Sequence, residues 1–160
     1  MKQKEDETDL GNRLYKITTQ INVALSKYEE STKKDYKLGR VESHLLHLLA
    51  VERKALPMKD IAKALGVSQS RVTHLIDTLL AKGYLERFSS PDDRRIFLAQ
   101  ITPAGIDVNT NYKEDIINRY HNMLQLLSDV EKNKIFESFK EWKNFLYERS
   151  KEFNFEVEES

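Results

Sequence analysis

At 160 residues, 39% of them hydrophobic, the chain is sized for one domain or for two small lobes sharing a core. Lys plus Arg and Asp plus Glu balance at 26 each, which excludes a uniformly basic nucleic-acid coat and leaves any polyanion binding to a local patch. With no cysteine, disulfides, thiolate metal sites and cysteine redox sensing are excluded; no apolar run reaches the roughly 20 residues of a bilayer span, and MKQKEDETD lacks the apolar centre of a secretory signal, so a cytoplasmic protein is expected.

Residues 1–7 are charged and are expected to be a flexible tail, as are residues 153–160. Leu10, Leu14, Ile17, Ile21, Leu25 and Tyr28 recur at helical spacing, which predicts a long amphipathic helix ending in the polar run 30–37. A second helix is expected over 40–53, with Val41, Leu45, Leu48 and Leu49 inward. Pro57 suits the first turn of a third, whose buried face is Ile61, Ala62 and Leu65. Gly66 supplies a left-handed stop, and Ser68 is a natural N-cap for a fourth helix with Val72, Leu75, Ile76 and Leu79 on its apolar stripe. Gly83 closes that helix. Two short strands follow at 84–88 and 96–101, joined by the charged turn SSPDDRR. Thr102-Pro103 is a helix start, and Val108, Tyr112, Ile116, Tyr120 and Leu127 share a face beyond it. Ser128 and Glu131 form a capping box ahead of a last helix carrying Ile135, Phe136, Phe139, Trp142, Phe145 and Leu146.

One segment carries chemistry. Between Leu56 and Gly105 a helix, a tight turn, a second helix with a polar leading edge and a basic hairpin follow one another, with seven Lys/Arg against five Asp/Glu. The fourth helix presents Ser68, Gln69, Ser70, Arg71, Thr73 and His74 outward. These side chains suit base edges and phosphates, and a helix N-terminus adds free N–H groups and positive potential. A polar outer face is also ordinary for a solvated surface helix, so the hairpin matters. Arg94 and Arg95 sit at its tip, and arginine is the side chain that enters a narrow minor groove. Asp93 repels phosphate, so its expected role is to orient Arg95, two residues on, by a carboxylate–guanidinium pair. Lys59, Lys82 and Arg87 are candidate phosphate contacts.

The stretches VSQSRVTHLIDTLLAKGYLER and PDDRRIFLAQITPAG, with the D-x-R of Asp93-Arg94-Arg95 and the later Ile101-Thr102 and Gly105, resemble the MarR family of winged helix-turn-helix regulators. The resemblance implies a mainly α fold with a small β-hairpin wing: a winged helix-turn-helix DNA-binding lobe over 38–105, and a helical dimerisation lobe from 8–33 and 106–150, in one domain spanning 8–150. It implies a homodimer on a pseudo-palindromic duplex, acting as a ligand-responsive repressor. Two recognition helices about 34–36 Å apart would enter successive major grooves, with Arg95, or alternatively Arg94, in the flanking minor groove. Independently, Phe139, Trp142 and Phe145 on the last helix of a small chain call for a partner surface.

The family's effector cleft lies between the two lobes, and Tyr15, Tyr36, His44, His47 and Tyr112 are its candidate linings here. Zinc sensing occurs among relatives, and Glu42, His44, His47 and the distant His121 raise a metal-responsive alternative. Histidines within a leucine-rich helix are more often packed or surface residues, so no metal and no cofactor are expected. No phosphate loop, G-x-S-x-G or H-E-x-x-H is present, and Asp92-Asp93 sits on an exposed turn, so no enzyme is expected. The remaining rival is a winged-helix interaction scaffold. The polar helix face together with Arg94 and Arg95 argues against it.

Overall fold

A computed structural model describes residues 2–152, with side chains at positions 9–27 and 36–149. The elements in chain order are α1 (Lys2–Tyr36), α2 (Arg40–Glu52), β1 (Leu56–Pro57), α3 (Met58–Leu65), α4 (Gln69–Ala81), β2 (Leu85–Ser89), β3 (Phe97–Ile101), α5 (Pro103–Leu124) and α6 (Asp129–Glu152). The expected mainly helical architecture with a small sheet is present. The chain up to Arg40 forms one compact unit and the chain from Val41 a second.

The first unit is almost wholly α1. It begins at Lys2, so no tail is found at 2–7, and it ends at Tyr36, inside the expected polar run. Residues 2–7 are all Lys, Gln, Glu or Asp, and Lys, Gln and Glu have a helix propensity close to that of leucine. Residues 153–160, the other expected tail, lie outside the described residues. Along α1, Leu10, Leu14, Ile17, Ile21 and Val23 are all exposed.

In the second unit the core is small and lies beneath α4. It is built from Leu45, Leu46 and Leu49 of α2, Ile61 and Ala62 of α3, Val72, Leu75, Ile76 and Leu79 of α4, Leu85 of β2, and Ala99 and Ile101 of β3. The four α4 residues fall within about 100° of helical arc, the width of a core-facing stripe, and each contributes about 1.5–3 kcal/mol of transfer free energy. The inward set of α2 differs from the expected one: Leu46 and Ser43 are buried, whereas Val41 and Leu48 are only half-buried. α2 also stops at Glu52, because Arg53 takes the left-handed conformation, φ 53°, usually left to glycine.

Strand β1 has no counterpart in the sequence reading. Leu56 and Pro57 pair with Ala99 and Leu98, making β3 the middle strand of an antiparallel sheet ordered β1-β3-β2. Proline is tolerated there because β1 is an edge, and Pro57 also serves as the N-cap of α3. The β2–β3 ribbon is in register from Leu85↔Ile101 to Ser89↔Phe97. On α5 and α6, Gly105 alone among the described residues is buried.

The helix ends follow the expected chemistry. Gly66 caps α3 in the left-handed region, φ 61° and ψ 34°. The Ser68 hydroxyl accepts from the Arg71 N–H at 3.3 Å. The Thr102 hydroxyl accepts from the Gly105 N–H at 3.1 Å, with Pro103 opening α5. At α6, Glu131 Oε2 accepts from the Ser128 N–H at 2.8 Å and from its hydroxyl at 2.6 Å. The hydroxyl bond first, and the N–H bond second, hold the Glu131 carboxyl below its ordinary pKa. A depressed carboxylate stabilises the fold above the ordinary pKa and loses that contribution as pH falls through the lowered value. Ser128→Ala is therefore expected to move the Glu131 titration upward in a carboxyl NMR titration; an unmoved midpoint contradicts the capping assignment.

Candidate nucleic-acid interface

The outward arc of α4 is set by its inward arc. With Val72, Leu75, Ile76 and Leu79 fixed in the core, Gln69, Ser70, Arg71, Thr73 and His74 have no choice but to face solvent, and all five are exposed. Ser68 stands at their head, its hydroxyl also 3.0 Å from that of Ser70. The Thr73 hydroxyl donates to the Gln69 carbonyl at 3.1 Å, so its proton is spent on the helix itself and only its lone pairs face outward. The polar surface of α4 thus has Gln69, Arg71 and His74 as its long, hydrogen-bond-bearing members.

The ribbon tip is built by a turn. The Ser90 N–H donates to the Ile96 carbonyl at 2.8 Å, and the Ile96 N–H donates to the Asp93 carbonyl at 2.9 Å. Inside this turn Asp93 and Arg95 pair as their spacing suggests. Arg95 Nε donates to Asp93 Oδ1 and Nη2 to Oδ2, both at 3.1 Å, and the Arg95 backbone N–H donates to Oδ1 at 3.0 Å. The guanidinium bonds first, then the backbone bond, hold the Asp93 carboxyl below its ordinary pKa. The Arg95 side chain nevertheless remains 90% exposed. It is a cation fixed at its root and presented to solvent, with Arg94 exposed beside it.

The three candidate phosphate contacts separate. Lys59 is exposed on α3. Lys82, the C-cap of α4, donates to Glu42 Oε2 at 2.8 Å, with the two side chains only 25% and 14% exposed. Arg87 donates from Nη1 to Asp77 Oδ1 at 3.1 Å and holds its guanidinium 5.5 Å from the centre of the Phe97 ring. Sequence spacing showed neither pair, because partners 40 and 10 residues apart meet only through the fold.

A crevice of about 1040 Å³ opens in the second unit, between α2, the end of β3 and the first half of α5. Ile101, Ile106, Ile117 and Val51 give it an apolar floor, and His47, Arg53, Lys113 and Glu114 a polar rim of mixed charge. Of the five residues expected to line an effector cleft, His47 alone is among its walls. Tyr112 lies on α5 well over a quarter turn from the Ile106–Lys113–Ile117 stripe. His44 sits one helical turn before the α2 residues that form the wall, and Tyr15 and Tyr36 belong to α1. Among the described residues, no three His, Asp or Glu side chains converge as metal ligands would, and no helix is long and apolar enough to cross a membrane.

Comparison with known proteins gives a consistent set. The sequence model of the MarR family matches residues 38–97. The transcriptional regulator AdcR of Streptococcus pyogenes serotype M6 is 28% identical, over 76% of this chain and 88% of that protein. The uncharacterized HTH-type transcriptional regulator YpoP of Bacillus subtilis is 29% identical, over 83% of this chain and 87% of that one. Among solved structures, a Staphylococcus aureus MepR–DNA complex superposes with a TM-score of 0.66 at 19% identity, covering 81% of this chain and 96% of that one, which shows the fold.

Proposed function

We propose that this chain, similar to MarR-family regulators over residues 38–97, is a transcriptional regulator of that family that binds duplex DNA as a homodimer. The observation that carries this reading is a division of labour within one lobe. The apolar side of α4 is sealed in the core, while Gln69, Ser70, Arg71, Thr73, His74, Arg94 and Arg95 are all held out to solvent. Arg71, Gln69 and His74 would meet base edges and phosphates in the major groove, with Ser68 and Ser70 at the helix N-terminus beside a phosphate. Arg95, rooted by Asp93, would enter the flanking minor groove, with Arg94 as the alternative finger.

Pairing is supported by the helices outside that lobe. In a single chain Phe136, Phe139, Phe145 and Leu146 of α6 and Ile117, Tyr120 and Met123 of α5 are exposed, and α1 exposes its own stripe. So much apolar surface exceeds what a soluble monomer shows, and a second copy offers the matching surface. Repression follows from a dimer seated over promoter DNA. The crevice whose polar rim is His47, Arg53, Lys113 and Glu114 over an apolar floor would take a small amphipathic effector. An interaction scaffold without DNA binding has no use for a polar α4 face and two arginines at the tip.

Enrichment of random duplexes on the purified protein tests this reading. The expected product is an inverted repeat whose half-sites are one helical turn apart, bound by a species of twice the chain mass in sedimentation. No enrichment in dilute buffer, or a monomer at micromolar concentration, would overturn it.

A further inference from the structure

We propose that Lys82 and Arg87 are positioning residues that clamp the recognition helix α4 from two sides, and that neither contacts DNA phosphate. The proposal rests on the DNA-binding reading above and concerns what two of that lobe's cations do. Their charge and place in the sequence suit phosphate contacts, but each is already committed. Lys82 closes the C-terminus of α4 and reaches back 2.8 Å to Glu42 on α2, in a largely buried ion pair. Arg87 leaves β2 and meets Asp77, two turns along α4 from Gln69, at 3.1 Å. Its guanidinium also lies over Phe97 of β3. To reach a phosphate it would have to give up a carboxylate and an aromatic face together.

Asp77 supports the same conclusion. It is exposed on the DNA-facing side of α4, where an uncompensated carboxylate repels the duplex. Arg87 neutralises it and in doing so ties the ribbon to the helix. The two pairs fix the C-terminal half of α4 to α2 on one side and to the β2–β3 ribbon on the other. The helix and the arginines of the tip then move as one reading unit, and the distance between major-groove and minor-groove contacts is set before DNA arrives.

The two roles predict opposite signs. If Lys82 and Arg87 position α4, neutralising their acidic partners by Glu42→Gln or Asp77→Asn weakens operator binding, by about three- to tenfold. Lys82→Met and Arg87→Gln weaken it similarly while the slope of log affinity against log salt stays that of the parent. If they contact phosphate, Lys82→Met and Arg87→Gln each lower the slope by about 0.9, and the acid neutralisations tighten binding. That outcome overturns the proposal. Hydroxyl-radical footprints separate positioning from general loss of fold: Asp77→Asn and Arg87→Gln are expected to lose protection in the flanking minor groove and keep it in the central major grooves. Loss of both together overturns the clamp. Amide hydrogen exchange on the DNA-free chain gives a reading that needs no operator. In Asp77→Asn the β2 and β3 amides exchange faster while those of α3 are unchanged, and unchanged β2–β3 rates overturn the proposal. If the parent chain selects no duplex, the functional reading falls and hydrogen exchange alone decides the clamp.

Discussion

Replacing Gly105 with alanine is expected to lower stability by about 1–3 kcal/mol, or roughly 2–12 °C in Tm. A β-carbon built at this position falls 2.2 Å from the Tyr84 carbonyl oxygen and 2.8 Å from Ile101 Cγ1. The first of these is backbone and cannot rotate aside. It belongs to a turn held on both sides: the Thr102 hydroxyl donates to the Gly83 carbonyl at 2.8 Å, the Thr102 N–H donates to that same Tyr84 oxygen at 3.0 Å, and the Tyr84 N–H donates to Leu79 of α4 at 3.0 Å. The added methylene must therefore push the start of α5 away from the end of α4. Gly11 is the internal control. It lies in α1 with nothing within 4 Å of a built β-carbon, so Gly11→Ala is expected to gain about 0.5–1 kcal/mol from helix propensity. Urea unfolding of both variants checks the pair, and equal effects at the two glycines contradict the close approach at Gly105.

Arg95→Ala is expected to cost about 1–3 kcal/mol of operator affinity, roughly 5- to 150-fold, if this side chain reads the groove edge. Asp93→Asn is expected to cost less in the same direction, because it removes the root of Arg95 but leaves the cation. The depressed Asp93 carboxyl fixes the pH behaviour. Its charged form is favoured by the pair, so the arrangement is complete above the ordinary carboxylate pKa and is lost only as pH falls through the lowered value. The affinity ratio of parent to Asp93→Asn should therefore stay constant from about pH 7 to pH 5, and taking the ratio cancels every group the two proteins share. Fluorescence anisotropy at fixed salt checks both. Parent-like binding by Arg95→Ala removes the tip from the interface.

Much of this molecule is legible in its sequence where local chemistry decides the outcome. Gly66, Ser68, Thr102 and the Ser128–Glu131 box each act within four residues, and each appears where its chemistry places it. The stripe Val72–Leu75–Ile76–Leu79 was readable because only one phase of a 3.6-residue period keeps those four together. The Asp93–Arg95 pair was readable because its partners are two residues apart. What escaped was set by tertiary contact. β1 is two residues long and contains a proline, so no periodicity could reveal it. The left-handed stop at Arg53 uses a residue with no turn signature. The partners of Lys82 and Arg87 come from other elements, so their charges were visible but not their engagements. The crevice is legible only in part: His47 of the expected linings reaches it, whereas its α5 wall is the plainer stripe of Ile106, Lys113 and Ile117, which carries no aromatic or histidine signal.

The junction at Gly105 has a mechanical consequence. Thr102, Gly83 and Tyr84 weld the first turn of a 22-residue helix to the trailing end of α4, the proposed recognition helix. A rod of that length is about 33 Å long, so a swing of roughly 5° at its far end moves the welded tip by about 3 Å. With so little slack at the weld, a small adjustment where the two copies of the proposed dimer meet would arrive at the grooves almost undiminished, and the spacing between paired readers would become a gauge of how their long rods are leaning.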